Sequence, residues 1–402
     1  ALPRNIVLIG GPPCQAYSLM GRARKRGKFG YEADKDHRNF LYREYLRVLH
    51  RLQPAVFVME NVKGILSSRV GGRRVFHDIL SDLAQPGKAL RRARNDQGHG
   101  YRIHSLVCDT AFASGDDPES VDPTHFVIRA EQFGIPQTRH RVILLGVRED
   151  IPSTNLRPLE PAGAVTLGEA ISSLPALRSR LSTGDSERDW LKTVAGLAQS
   201  MARDAAQRGM PELEQLLSHY RNSLHCNLPI GALRVPRQIT KMASSSYLDW
   251  VQDNRLQVWL NHEARTHMAS DLGRYFYASV FAKAYSRSPK GSEDFMLKGL
   301  APAHANWETG KFADRFRVQR IETQSSTVTS HISKDGHYFI HADPVQCRSL
   351  TVREAARLQS FPDNYFFQGN RTQQYHQVGN AVPSLLANRI AERVAALISP
   401  AK

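Results

Sequence analysis

Residues 6–15 read IVLIGGPPCQ, a short apolar run that turns abruptly into glycine and proline and then into a cysteine. A continuous, β-branched run of this kind is typical of a strand buried on both faces of a sheet. In open α/β sheets, ligands bind where such strands end. The stretch therefore predicts an α/β fold with Cys14 at the ligand-binding edge, where a thiolate can act as a nucleophile. A buried structural cysteine is the alternative.

Working outward, the same alternation of buried strands and amphipathic helices continues. Apolar runs at residues 56–59 and 142–147 predict two further buried strands, and residues 101–110 predict another. Between them, apolar side chains recur at helical spacing over residues 39–52 and 75–83. Strands that alternate with helices are typical of an open α/β sheet, which is the fold class that we predict.

The pattern changes after residue 150 and becomes regular again near residue 327. The intervening stretch is basic and aromatic, with a helical, polar segment at residues 186–222. It therefore predicts a second domain or a set of insertions. The C-terminal part predicts, in order, a hairpin of residues 327–332 and 337–341, a helix over residues 351–359 that begins with the capping pair Thr351 and Glu354, and a last helix from Pro383.

Charged residues join Cys14 at the same predicted edge. Glu60 follows the second predicted strand, so its carboxyl group should lie near Cys14, where it could hold or donate a proton. A solvated loop glutamate is the alternative. Arg139 and Arg141 are two residues apart on an extended segment, so they should face the same way and could fix a carboxylate or a base edge. The alternative for this pair is a basic strand edge that meets DNA phosphate.

The charge balance indicates a polyanionic partner. The chain has 402 residues with 54 basic and 38 acidic side chains, a net charge of +16, and proteins this basic usually bind nucleic acid. The four cysteines are scattered, which argues against a zinc knuckle or a disulfide framework and favours a reducing compartment. No apolar run approaches the roughly 18 residues of a membrane span, so no membrane contact is predicted.

Five segments, in order, resemble the motifs of the DNA (cytosine-5) methyltransferases. They are Pro13-Cys14-Gln15, Glu60-Asn61-Val62, Gln-x-Arg-x-Arg at residues 137–141, RSLTVREAARLQSFPD at residues 348–363 and GNAVP at residues 379–383. The similarity covers residues 5–150 and 325–400. The resemblance implies a Rossmann-like, S-adenosylmethionine-dependent methyltransferase sheet with an inserted target-recognition domain, and double-stranded DNA as the substrate.

The resemblance also implies a role for each site residue. Cys14 would add to C6 of a cytosine flipped out of the duplex, Glu60 would hydrogen-bond the N3 side of the base, and Arg141 would orient the base while Arg139 supports the site. S-adenosylmethionine would supply the methyl group, and no metal is needed. The implied cofactor contacts are Pro13, Leu41, Asn380, Ala381 and Val382.

A basic loop follows the cysteine. The residues predicted to bind DNA are Gln15, Ser18, Arg22, Arg24, Lys25 and Arg26. Glycines flank the cations of this loop, which favours a loop that closes over DNA phosphate, with a solvated basic loop as the alternative. The predicted division is a catalytic α/β domain at residues 1–155, a target-recognition region at residues 156–345, and a C-terminal segment at residues 346–402 whose last helix returns to the catalytic domain.

The sequence departs from the family pattern before the Pro-Cys segment. The family's Phe-x-Gly-x-Gly turn does not occur there, so the N-terminal part of the sheet is predicted to be truncated. Three interpretations follow: a fragment, one subunit of a split enzyme whose partner polypeptide carries the S-adenosylmethionine-binding motifs, or an inactive remnant. A DNA-binding subunit without activity and an RNA methyltransferase are the alternative functions. The expected setting is the bacterial cytoplasm, at the nucleoid, in restriction–modification.

Overall fold

A computed structural model describes residues 6–12, 42–70, 72–93, 95, 98–237, 244–303, 307, 310 and 313–398. The chain forms two compact units. The first comprises Ala1–Phe133, His140–Ala162 and Ala387–Lys402, and the second comprises Gly134–Arg139 and Gly163–Leu386. These packing units differ from the predicted division at residues 155 and 345, because residues 346–386 belong to the same unit as the stretch before them.

Short strands and helices alternate along both units. The strands are β1 (Val7–Gly10), β2 (Val56–Val62), β3 (Arg69–Val70), β4 (Arg73–Arg74), β5 (Tyr101–His104), β6 (Ala111–Phe112), β7 (Val127–Arg129), β8 (Gln137–Thr138), β9 (His140–Arg148), β10 (Arg180–Leu181), β11 (Gly231–Pro236), β12 (Val258–Glu263), β13 (Thr266–His267) and β14 (Ser325–Ser326). The helices are α1 (Tyr42–Leu52), α2 (Val75–Ala84), α3 (Pro86–Ala89), α4 (Leu167–Ile171), α5 (Glu187–Gln207), α6 (Pro211–Asn222), α7 (Ser246–Val251), α8 (Ala269–Tyr285), α9 (Gly291–Asp294), α10 (Val352–Leu358), α11 (Arg371–Asn380) and α12 (Ser384–Ile398).

The sheet of the first unit has the order β1-β2-β9-β5-β6, with β7 also beside β9. Strands β1 and β2 are parallel, with Ile9 opposite Val58. Strand β9 runs antiparallel to β2, β5 and β7. The three predicted apolar strands are confirmed, whereas the strand predicted over residues 101–110 is shorter, because the chain turns after His104 and pairs back through β6.

One layer of helices covers a face of this sheet. Phe57 and Met59 of β2 pack in one buried cluster with the apolar faces of α1 and α2, including Leu46, Leu49 and Phe76. The apolar stripe that predicts α2 marks its buried face as expected, whereas in the stripe that predicts α1 Val48 and Leu52 are exposed, and Leu46, which lies outside that stripe, is buried. The prediction for α1 is confirmed from Tyr42 onward.

The second unit has its own helical core. Helices α5, α6 and α8 bury Trp190, Leu213 and Phe276 in one cluster, and α8 is buried around most of its circumference. A second cluster surrounds α10 and includes Trp259, Leu358 and Tyr375. The helical prediction for residues 186–222 is therefore confirmed, although these helices carry core residues and are not only polar.

The hairpin predicted for residues 327–332 and 337–341 is wrong. Strand β14 ends at Ser326, and Ser330–Ser333 form a short 3-10 helix. The backbone of Val328 is bound by side chains instead of a strand, since its N–H donates to Gln137 (2.9 Å) and its carbonyl accepts from Arg139 (2.7 Å). Residues 337–341 make only isolated bridges, through Ile340. Hydrogen bonds to one side-chain acceptor and one side-chain donor thus replace the strand pairing that was predicted.

The C-terminal helices follow the sequence prediction closely. The Thr351 side chain accepts from the backbone N–H of Glu354, and the Glu354 carboxylate accepts from the N–H of Thr351, which completes the predicted capping box of α10. Helix α12 begins at Ser384, one residue after Pro383. Its residues from Ala387 onward belong to the first unit.

Candidate active site

The end of β1 is packed so closely that it requires glycine. A Cβ atom on Gly10 would lie 2.6 Å from Cε2 of Tyr45, and the Tyr45 hydroxyl donates to the carbonyl of Val58 (3.3 Å). Burial raises the pKa of Tyr45 well above its usual range, so the hydroxyl remains protonated. Tyr45 of α1 therefore braces β1 against β2 at the point where the chain leaves the sheet.

Glu60 and Arg141 form an ion pair across neighbouring strands. Oε1 of Glu60 lies 2.8 Å from Nε of Arg141, and the side chains are 25% and 17% exposed. The antiparallel pairing of β2 and β9 places Arg141 opposite Val62, two residues beyond Glu60. Glu60 is therefore a partly buried, paired acid and not a solvated loop glutamate.

The second carboxylate oxygen of Glu60, Oε2, lies close to Gly11. Oε2 of Glu60 lies 3.2 Å from the position that a Cβ atom on Gly11 would occupy. Arg141 donates through Nη1 to the carbonyl of His140 (2.9 Å), and within the described residues its Nε makes no hydrogen bond. The contact with Glu60 is therefore electrostatic, and Oε2 faces the segment that continues from Gly11.

The proposed nucleophile and the basic loop lie outside the described residues. This applies to Pro13, Cys14, Gln15, Ser18, Arg22, Arg24, Lys25, Arg26 and Leu41. Their roles stay predictions.

Arg139 is buried and bound to backbone carbonyls. Its side chain is only 2% exposed, and it donates to the carbonyls of Val328 (2.7 Å), Gly379 (3.3 Å) and Ala381 (2.9 Å). A guanidinium buried in this way does not suit a surface contact with DNA phosphate. Its geometry fits the supporting role that the resemblance implies.

Among the predicted cofactor residues, Asn380 ends α11, and Ala381 and Val382 follow it in the turn before α12. Asn380 is exposed, whereas Ala381 and Val382 are half-buried. The turn therefore offers a hydrogen-bonding amide beside apolar surface, as a nucleoside with an amino-acid tail requires. The three residues are therefore chemically suited to the cofactor contacts that the resemblance implies for them.

Arg348 and Arg357, both in the quoted motif at residues 348–363, form buried ion pairs within the second unit. Arg348 makes a bidentate contact with Glu354, with both N–O distances 2.7 Å, and both side chains are buried. Burial alone would raise the pKa of Glu354, but the charge of Arg348 holds it well below its usual range. Arg357 makes a similar buried contact with Asp363 (2.9 and 2.7 Å). These buried cations hold parts of the second unit together.

Sequence reasoning missed two buried glutamines. Gln137 and Gln359 are fully buried and hydrogen-bonded to each other (2.7 Å). The sequence does contain a sign of their importance. Each glutamine lies inside a quoted motif, where it is a neutral polar residue among apolar or charged ones. A buried amide is retained only where its hydrogen bonds are satisfied, so such residues are candidates for positioning roles.

Two negative findings apply to the part of the chain that the structure describes. No group of three or more His, Cys, Asp or Glu side chains there could hold a metal ion. No helix there has the length and apolar character needed to cross a membrane.

The fold and the paired acid and arginine agree with a known class of protein. The chain belongs to the C-5 cytosine-specific DNA methylase family, whose profile matches residues 2–89 and 121–396. The family assignment from the five sequence motifs is therefore confirmed.

Individual relatives are DNA methyltransferases of the type II class. The chain is 33% identical to the type II methyltransferase M.Bpa9945I of Bacillus paralicheniformis, over 98% of this chain and 71% of that protein. It is 27% identical to the type II methyltransferase M.AgeI of Thalassovita gelatinovora, over 98% of this chain and 83% of that protein. A crystal structure of a DNA modification methyltransferase from an E. coli prophage matches with a TM-score of 0.52 and 19% identity, over 98% of this chain and 79% of that one. The methyltransferase class of fold is thus shown.

Proposed function

We propose that this protein methylates C5 of cytosine in double-stranded DNA, with S-adenosylmethionine as the methyl donor. The observation that carries the proposal is the Glu60–Arg141 ion pair, because Oε2 of Glu60 faces Gly11, from which the Pro-Cys segment continues. An acid and a cation are thereby held at the strand end that leads to Cys14. Membership of the cytosine-5 methylase family supports this assignment.

The proposed chemistry begins at Cys14. Cytosine C5 is a weak nucleophile, so the Cys14 thiolate forms a bond from Sγ to C6 and the displaced electron pair moves toward C5. C5 would then bond to the methyl carbon, while the bond from that carbon to the donor's sulfur breaks and leaves its electron pair on the sulfur. The C5 proton leaves to a base in the solvent, the Sγ–C6 bond breaks, and the aromatic ring and the thiolate are restored. The base must leave the duplex first, at a cost of a few kcal/mol.

Glu60 and Arg141 would act on the base itself. Oε1 of Glu60 is held near Arg141, so Oε2 is the oxygen available to the N3 side of the cytosine. In its protonated form Oε2 would donate a hydrogen bond to N3, which would stabilise the negative charge that develops on the ring as Sγ adds to C6. Arg141 holds the carboxylate in place and orients the base, while Arg139 acts only through the backbone that it binds.

The residues present fit part of a cofactor site. When bound, S-adenosylmethionine supplies an electrophilic methyl group. Asn380 offers an exposed amide, and Ala381 and Val382 offer half-buried apolar surface. Pro13 and Leu41 are assigned to the same role by the family resemblance. Each of these residues would bind and orient the donor and would transfer no proton.

The basic loop would bind DNA in a restriction–modification setting. Arg22, Arg24, Lys25 and Arg26 would neutralise phosphates, so DNA affinity should fall steeply as salt is raised, and Gln15 and Ser18 would contact the DNA beside the flipped base. The relatives are named type II methyltransferases, which supports a role in marking DNA in the bacterial cytoplasm.

The proposal is tested with duplex DNA that contains 5-fluorocytosine. Fluorine on C5 cannot leave as a proton does, so the Sγ–C6 bond should persist and the protein should migrate with the DNA under denaturing conditions. Peptide mass spectrometry should place the adduct on Cys14. Adduct formation should require S-adenosylmethionine.

A matched cysteine variant serves as the control. Cys14→Ala should abolish the adduct, whereas Cys108→Ser, which changes a free cysteine beside Ser105, should leave it intact. Failure of the wild-type chain to form any adduct or methylate DNA would reject the proposal in favour of a DNA-binding subunit or an inactive remnant. Adduct formation on RNA but not on DNA would favour the RNA methyltransferase alternative.

A further inference from the structure

The carbonyl groups at the end of α11 are bound by side chains from elsewhere in the second unit. A helix leaves its last carbonyls without intrahelical partners. Here Gln359 donates through Nε2 to the carbonyls of Val378 (2.7 Å) and Ala381 (3.1 Å). Arg139 donates to the carbonyls of Gly379 and Ala381. The turn that follows α11 is therefore fixed by two buried side chains.

Gln359 is itself held in one orientation. Its Oε1 accepts from Nε2 of Gln137 (2.7 Å), so its amide group is committed to donating in the other direction. Gln137 also donates to the carbonyl of Leu358 (2.7 Å) and accepts from the N–H of Val328 (2.9 Å). Both glutamines are fully buried. A rotated amide at residue 359 would break three contacts at once.

Close packing removes the remaining freedom of the turn. A Cβ atom on Gly379 would lie 2.3 Å from both the backbone N of Ser330 and the carbonyl carbon of Thr329. Beyond the turn, the N–H of Ser384 donates to the carbonyl of Gln359 (3.1 Å). Gly379 and Ser384 thus hold the turn from both sides, and Gln359 holds it at its centre.

We infer that Gln359 is a positioning residue that sets the Asn380–Ala381–Val382 turn in the geometry that S-adenosylmethionine requires. The inference rests on the proposed function, which assigns the cofactor contacts to this turn. Gln359 acts through Val378 and Ala381 and touches neither cofactor nor DNA. The Gln137–Gln359 pair also links the turn to the segment that carries Arg139, so the cofactor turn and the arginine motif share one hydrogen-bonded support.

The decisive variant is Gln359→Glu. The carboxylate keeps the shape of the side chain and can still accept from Gln137, but it cannot donate to Val378 and Ala381. We expect the dissociation constant and the KM for S-adenosylmethionine to rise about tenfold or more, because the carbonyls of Val378 and Ala381 each lose the hydrogen bond from Gln359. The KM for DNA and the kcat at saturating S-adenosylmethionine should change less than threefold. General destabilisation would not weaken S-adenosylmethionine binding while leaving these two constants nearly unchanged.

Gln374→Glu is the matched control. Gln374 is also buried and donates to one backbone carbonyl, that of Gly369 (2.8 Å), near the opposite end of α11. This variant should alter thermal stability to a similar degree without the selective rise in KM. Equal effects of the two variants on S-adenosylmethionine affinity would overturn the inference.

A second measurement keeps the inference separate from the proposed function. Hydrogen exchange of the full chain should show faster exchange at residues 378–385 in Gln359→Glu than in the wild type or in Gln374→Glu. Unchanged exchange there would overturn the positioning role even if the enzyme is active. If the wild-type chain does not bind S-adenosylmethionine, the proposed function fails, while faster exchange at the turn would still support the role of Gln359 in holding it.

Discussion

At the scale of single residues, the Glu60–Arg141 pair is the feature on which activity should depend most. Both side chains are partly exposed, so the pair contributes little to folding but remains accessible to a base. Its geometry places a carboxyl oxygen where the backbone of Gly11 leaves room for it. Substitutions of Glu60 or Arg141 should therefore lower activity with little effect on stability.

Replacing Glu60 with glutamine tests this separation. The amide keeps the shape of the side chain but loses the charge and the proton-binding site, so kcat should fall by about 10²–10⁴-fold. The free energy of unfolding should change by less than about 1 kcal/mol. Steady-state methylation assays and chemical denaturation give the two values.

Glu131→Gln is the comparison for that measurement. Glu131 pairs with His140, the residue beside Arg141, through Oε1 and Nε2 at 2.6 Å and with similar exposure. This variant should retain most of the activity. A loss in Glu131→Gln as large as in Glu60→Gln would show that any disturbance of β9 lowers activity, and the catalytic role of Glu60 would be rejected.

At the scale of elements, α10 is unusual because a short helix carries three fully buried charged side chains. Arg353, Glu354 and Arg357 are buried, and each has partners. Arg353, for example, donates to the carbonyls of Leu260 (2.8 Å) and Pro362 (3.1 Å). Buried charges of this kind are costly when a partner is removed. The helix therefore anchors the second unit through polar contacts as well as apolar ones.

Glu354→Gln should destabilise the protein strongly. The change leaves Arg348 buried without its counter-charge and weakens the capping box, so the free energy of unfolding should fall by about 3–5 kcal/mol. Urea denaturation followed by circular dichroism provides the measurement. In Glu322→Gln, where the carboxylate is half-exposed and its nearest cation lies 3.6 Å away, the loss should stay below about 1 kcal/mol. Comparable losses in the two variants would contradict the anchoring role of α10.

The elements that the sequence predicts well are those specified by local chemistry. The capping box of α10 needs only Thr351 and Glu354, and the apolar run of β9 marks a buried strand directly. The hairpin prediction at residues 327–341 fails because Gln137 and Arg139, nearly 190 residues earlier in the chain, take the hydrogen bonds of Val328. The role of Gln359 could not be predicted for the same reason. Its partners Gln137, Val378 and Ala381 become its neighbours only in the folded unit. Glu60, by contrast, was placed just after a predicted strand, and the structure puts it inside β2, where its pairing with Arg141 depends on the register of β9 and could not be read from the sequence.

At the scale of the whole molecule, buried histidines link stability to pH. His262, His267 and His341 all lie in the second unit. Burial is the main cause that lowers the pKa of His262 to about 4, of His267 to about 3 and of His341 to about 4. His262 also bridges Thr351 (3.0 Å) and the carbonyl of Pro175 (2.8 Å). These rings are neutral in the folded protein at neutral pH.

Lowering the pH should therefore destabilise the protein already at pH values well above those at which carboxylates take up protons. The unfolded chain takes up protons on these histidines near pH 6.5, but the folded protein resists until about pH 4. Stability is fully present above about pH 6.5 and falls as the pH is lowered, by up to about 1.4 kcal/mol per pH unit for each histidine. Denaturation between about pH 7.5 and about pH 5 should show this slope.

The slope can be assigned with two histidine variants. His262→Gln should flatten the pH dependence, because one buried titrating group is removed, whereas the same change at exposed His99 should leave it as in the wild type. An unchanged slope in His262→Gln would show that His262 does not contribute to the acid sensitivity.

The division into two units also bears on how such proteins can exchange parts. The chain passes from one unit to the other four times, after Phe133, Arg139, Ala162 and Leu386. A hybrid gene that imports residues 163–386 from a relative would also import the partners of Gln137 and Arg139, which lie in a separate six-residue stretch. Recombination that spares this short stretch should yield folded chimaeras only between relatives whose sequences agree there, so that agreement determines which versions of residues 163–386 can be inherited as modules.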